Sequence, residues 1–140
     1  RSIKTLSVRM QKHNENGERV ASFLEDHPKI IKIHYPGIEQ KYKSIASQQM
    51  NGYGGMMSIV LDTNLEGAKK FLSNLKIFTL AESWGGVESL IEHPAIMTHA
   101  SIDKKIRESL GISDSLLRLS VGIEDVEDII YDLEQALDNI

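Results

Sequence analysis

The apolar residues of this chain switch repeatedly between two spacings, and that switch constrains the fold more than any single motif. In the run 116–121, Leu117, Leu119 and Val121 fall on one side, while Leu116, Arg118 and Ser120 fall on the other. That is the two-residue period of a strand. A few residues later, Val126, Ile129, Ile130, Leu133, Leu137 and Ile140 recur at three- and four-residue steps, the stripe of an amphipathic helix. Glu124, Asp125, Glu127 and Asp128 precede or open that helix, where negative charge complements the exposed N–H groups of its first turn.

The same reading extends along the chain. Leu6, Met10, His13, Gly17, Val20, Ala21 and Leu24 predict a helix over 3–25. Its stripe is thin and broken by His13 and Gly17, so it needs something to pack on. Asp26-His27-Pro28 ends it, because the residue before proline resists the α region. The β-branched run 30–35 predicts a strand, closed by Pro36-Gly37. A short helix over about 42–50 leads to the glycine-dense turn 51–55, and 56–61 forms a second strand. Those glycines match neither GxGxxG nor a P-loop, so we read a plain turn rather than a phosphate cradle. A helix beginning at Leu65 has Asn64 as its cap. Residues 77–80 read as extended and 81–102 as irregular; a helix over 103–110 stops at Gly111. The expectation is an α/β two-layer sandwich: a small, mostly antiparallel sheet with helices on one face.

Composition excludes several classes. The 140 residues suit one domain, and 41% apolar content is ordinary globular usage. No apolar run approaches the roughly 20 residues of a membrane helix. The net charge of −4 provides no basic footprint for nucleic acid. With no cysteine, disulfides, thiolate metal sites and cysteine nucleophiles are excluded, and the expected compartment is reducing and cytoplasmic. The chain opens at Arg1 with no methionine or apolar leader, which leads us to expect a piece of a longer protein rather than a signal peptide.

Three places could carry chemistry. Among the five arginines (1, 9, 19, 107 and 118), Arg118 alone falls in a strand. A guanidinium on a rigid strand is a planar fork suited to a carboxylate; the alternative is a half-exposed arginine paired with a surface acid. The loop 80–90 packs Glu82, Ser83 and the pair Gly85-Gly86 between apolar stretches, and glycines allow close backbone approach; a tight structural turn is the alternative. Glu92, His93 and His99 hint at metal, but two histidines six apart match no helical ligand pair, and we expect none. No GxSxG elbow supports a Ser-His-Asp triad.

Taken together, the runs 78–101 and 116–124, with Val8-Arg9-Met10 and His13, His34-Tyr35-Pro36-Gly37 and Gly52-Tyr53-Gly54-Gly55-Met56, closely resemble the C-terminal domain of the Cys/Met-metabolism enzymes that use pyridoxal phosphate (PLP). The resemblance covers essentially the whole chain, in order, and is greatest to cystathionine γ-synthase and γ-lyase types. It implies the small domain of a fold-type-I aminotransferase architecture. Residues 1–25 would form the helix leaving a large N-terminal domain that carries the PLP lysine. The family assembles as homotetramers and acts on sulfur amino acids by γ-replacement or γ-elimination. By the same resemblance, Arg118 matches the arginine gripping the substrate α-carboxylate, Ser83 a serine near it, Glu82 the active-site glutamate of the γ-enzymes and Thr98 a threonine on the substrate side. Trp84 replaces the commoner leucine, and Ser-Trp-Gly-Gly also occurs in some β-lyases. Synthase, γ-lyase, β-lyase and methionine γ-lyase types therefore stay open, as does a non-enzymatic amino-acid-binding or dimerisation module. None of the eleven lysines follows a Ser-x-Thr, so the chain alone is expected to be inactive.

Overall fold

The structure is a computed structural model and describes residues 2–82 and 85–140. A 3-10 turn, Ser2–Thr5, runs into helix α1, Leu6–Glu25. Then follow β1 (Ile30–His34), α2 (Gln40–Gln49), β2 (Met56–Leu61), α3 (Leu65–Asn74), β3 (Thr79–Leu80) and β4 (Leu90–Glu92). The order ends with α4 (Lys104–Ser109), β5 (Leu116–Ser120) and α5 (Val126–Asp138). The strands form one sheet in the order β1-β2-β5-β4-β3. Three pairings are antiparallel, and β3 pairs with β4 in parallel. The predicted mixed architecture with a mostly antiparallel sheet is what the chain adopts.

Alternation dictates which sheet face meets the helices. Ile33, Met57, Ile59, Leu61, Leu117 and Leu119 point to one face and are buried. Against them pack Val20, Ala21 and Leu24 of α1, Ala68 and Phe71 of α3, and Ile129, Leu133 and Leu137 of α5, in a single apolar cluster. Each fully buried side chain of this size contributes about 1.5–3 kcal/mol before the cost of chain ordering. The short helices α2 and α4 bury one residue each, Ala46 and Arg107, and neither residue joins that cluster.

Local capping agrees with the sequence. The Asn64 side chain accepts from Gly67 N at 3.0 Å, and Asp125 caps α5 by accepting from Glu127 N at 2.9 Å. Gly111 follows α4 with φ +83°, the left-handed conformation that ends helices.

Two expectations need revision. The stretch 81–102 contains a strand, β4, which three residues are too few to announce by periodicity. The polar breaks in α1 are contacts rather than defects. His13 Nδ1 lies 2.8 Å from Val121 O, and Asn16 Nδ2 donates to Gly122 O at 3.0 Å and to Glu124 O at 2.8 Å. Gly17 faces the glycine turn so closely that a Cβ would lie 2.1 Å from Gly54 O.

Candidate functional site

The strand register assembles a row of polar side chains across the sheet. Arg118 of β5 stands directly opposite Ser58 of β2 and Glu92 of β4, and Ser58 stands opposite His34 of β1. Residues paired in this way share a face, so His34, Ser58, Arg118 and Glu92 form one row on the face away from the apolar core. Beside Arg118 lies a shallow depression of about 160 Å³, lined by His34, Met56, Met57, Ser58 and Arg118. The Arg118 side chain is 41% exposed.

Glu92 is the unexpected member. Its side chain is fully buried, although it occupies the outer face; Thr98, in the turns that follow β4, reaches it. Its Oε2 lies 3.8 Å from Arg118 Nη1, and among the described residues no hydrogen-bond donor reaches that oxygen. The Thr98 hydroxyl donates to Oε1, and His99 Nδ1 lies 2.8 Å from the same hydroxyl. With the Thr98 proton committed to Glu92, the His99 tautomer that fits carries its hydrogen on Nδ1.

The segment over Glu92 is tied down at its far end. His93 is fully buried and its Nε2–H donates to Asp114 O at 2.7 Å. The Asp114 carboxylate accepts from Arg107 Nη2 at 2.9 Å and from Lys104 Nζ at 2.6 Å. Hydrogen bonds from Lys104 and Arg107 hold the Asp114 carboxyl below its usual pKa, and Asp114 raises that of Lys104 in return. Elsewhere, burial, with Glu18 second, pushes the Tyr35 phenol upward while its hydroxyl donates to Gly54 O at 2.9 Å.

Of the residues singled out from sequence, Arg118 and Thr98 are brought together through Glu92. Glu82 is exposed and follows β3, whose continuation Ala81 N donates to Ile91 O at 3.0 Å. Ser83 lies outside the described residues. Past it, Gly85 N approaches Ser120 Oγ at 3.4 Å, two residues along β5 from Arg118. Glu92 was missed as a partner of Arg118 because cross-strand register is not written in local sequence. Among the described residues, no group of three His, Asp or Glu gathers as a metal site.

The site thus sets a strand-borne, outward-facing arginine beside a buried acid. Comparison with known proteins gives this a family. The family model "Cys/Met metabolism PLP-dependent enzyme" matches residues 1–138, and the chain belongs to that family. It is similar to cystathionine beta-lyase of Coxiella burnetii, with 54% identity over 98% of this chain and 36% of that protein. It is similar to cystathionine gamma-lyase of Bos taurus, with 55% identity over 98% of this chain and 34% of that protein. In structure it resembles cystathionine gamma-lyase from Lactobacillus plantarum, solved in complex with L-serine. The TM-score there is 0.89 and the identity 46%, over 98% of this chain and 36% of that one. The chain thus spans about a third of the length of the curated relatives it matches.

The family's cofactor needs a lysine for its Schiff base, and this chain does not fit that role. No lysine is buried. Lys104 pairs with Asp114, and Lys29 donates to the Leu137 and Ile140 carbonyls at 2.8 and 2.9 Å. An activated lysine needs a depressed pKa from desolvation or neighbouring cations; at Lys104 the Asp114 carboxylate outweighs the nearby Arg107 and raises it instead.

Proposed function

We propose that this chain is the C-terminal, substrate-carboxylate-binding domain of a PLP-dependent transsulfuration enzyme of the cystathionine γ-synthase or γ-lyase type, with residues 1–25 as the helix that joins it to an N-terminal domain. The observation that carries the reading is Arg118. It sits on the central strand of the sheet, faces outward at the edge of a depression, and stands beside a fully buried acid. A guanidinium so mounted offers two parallel N–H groups to a carboxylate and fixes its orientation as well as its position. The neighbour solved with L-serine binds an α-amino acid, which agrees with an α-carboxylate as the anion. In the family the cofactor carries the electron-withdrawing chemistry. This chain's part is to hold the substrate. Arg118 takes the α-carboxylate, Ser83 assists it, and Glu82 meets the distal part of the substrate, such as the second amino group of cystathionine. Thr98 reaches the site through Glu92. The Schiff-base lysine comes from outside these residues, so the chain alone is inactive. Completed enzymes of this kind are tetramers and work in the cytoplasm. The β-lyase relatives keep β-elimination as the second reading.

The test is Arg118 in the full-length enzyme. Arg118→Ala is expected to lower kcat/KM roughly 30-fold or more, about 2 kcal/mol, mostly through KM, the size associated with truncating one partner of a hydrogen-bonded charge pair. Arg118→Lys recovers only part of it, because an ammonium lacks the fork. Normal kcat/KM in both variants contradicts the role.

A further inference from the structure

We propose that Glu92 is a positioning residue for Arg118, aiming the guanidinium from behind, and that Thr98 holds Glu92 for this purpose. The inference rests on the reading of Arg118 as the carboxylate site.

Three observations carry it. Glu92 and Arg118 are direct cross-strand partners on adjacent strands. Their backbones are therefore locked in register, and the side chains meet without a search. Glu92 is fully buried, and among the described residues its Oε2 has no hydrogen-bond donor. A carboxylate oxygen left in that state is costly, and the cation 3.8 Å away is the compensating charge. At that separation the contact is too long for a hydrogen bond, so it acts on Arg118 as directed attraction. Finally, Glu92 cannot follow Arg118 outward, because Oε1 is held by the Thr98 hydroxyl, itself 2.8 Å from His99 Nδ1. The chain His99, Thr98, Glu92, Arg118 thus runs from a surface imidazole to the guanidinium, fixed at the buried end.

Any rotamer freedom left to Arg118 has to be removed when substrate binds, a cost taken from affinity. A charge fixed behind it restricts that freedom in advance. The proposed effect therefore falls on substrate affinity rather than on the chemical step.

The experiment is a double-mutant cycle in the full-length enzyme with bound PLP. Glu92→Gln keeps the shape and an oxygen for Thr98 but removes the charge. It is expected to raise KM for the amino-acid substrate roughly 3–10-fold, the size of one partly exposed ionic contact, with kcat within about twofold. In the Arg118→Ala background, Glu92→Gln is expected to leave KM where it was and to raise Tm above that of Arg118→Ala alone, since it removes a buried charge that has lost its partner. Equal, additive effects of Glu92→Gln with and without Arg118, or a loss confined to kcat, overturn the positioning role while leaving the Arg118 reading intact. Normal kcat/KM in Arg118→Ala removes that reading and the positioning role with it. If Glu92→Gln fails to fold, Thr98→Val carries the same cycle. A KM rise that disappears without Arg118 supports the proposal, and one that persists overturns it.

Discussion

Gly17 breaks the apolar stripe of α1, and propensity alone marks it as a weak point worth filling. The structure reverses that judgement, because the glycine lets α1 approach the turn at Gly54, which has φ +72°, with Tyr35 Oη and Asn14 Oδ1 bonding the same residue. Gly17→Ala would gain about 1 kcal/mol in helix propensity. It would also place a methyl 2.1 Å from the Gly54 carbonyl. We expect a net loss of about 1–3 kcal/mol, typical of overpacking, read as a lower urea midpoint at unchanged slope; a higher midpoint would contradict the contact. Legibility differs sharply between residues here. Arg118 could be placed on its face from the alternation of 116–121 alone. Glu92 could not be assigned to it, because its partner is 26 positions away and only the register reveals it. Thr98 was named from resemblance to a family, and its physical role, holding Glu92, comes only from the fold.

The long elements were readable because each carries a full period of its pattern: α1, α5, β2 and β5 lie within a residue or a few of where spacing puts them. β3 falls inside the stretch 77–80 read as extended; β4 was not readable, since three residues hold no period, and it exists because pairing with β5 compensates its backbone. Between β4 and β5 the chain is pinned by Asp114, which joins Lys104 and Arg107 of α4 to buried His93. The two cations hold the Asp114 carboxyl below its ordinary value in the folded chain. Its contribution to stability is therefore complete above the ordinary carboxylate range and is lost as pH falls through the depressed folded value. Asp114→Asn is expected to melt lower than the parent at neutral pH, and the gap is expected to shrink on acidification between about pH 5 and pH 2. A gap that stays constant with pH would show that the side chain acts there by shape alone.

At the scale of the molecule, one sheet face is spent on the core and the other is left to the polar row of His34, Ser58, Arg118 and Glu92. Ile3, Leu6, Val8 and Met10, near the start of the chain, are exposed apolar residues. The chain spans about a third of the length of its curated relatives. The outward face of Arg118 was legible in the alternation of 116–121. The geometry behind Arg118 was not. The most direct measurement is a crystal structure of the full-length holoenzyme with an unreactive amino-acid analogue. The account predicts an α-carboxylate with both oxygens about 2.7–2.9 Å from Arg118 nitrogens, and Glu92 still behind the guanidinium. A carboxylate held by another cation, with Arg118 turned away from it, would contradict the account.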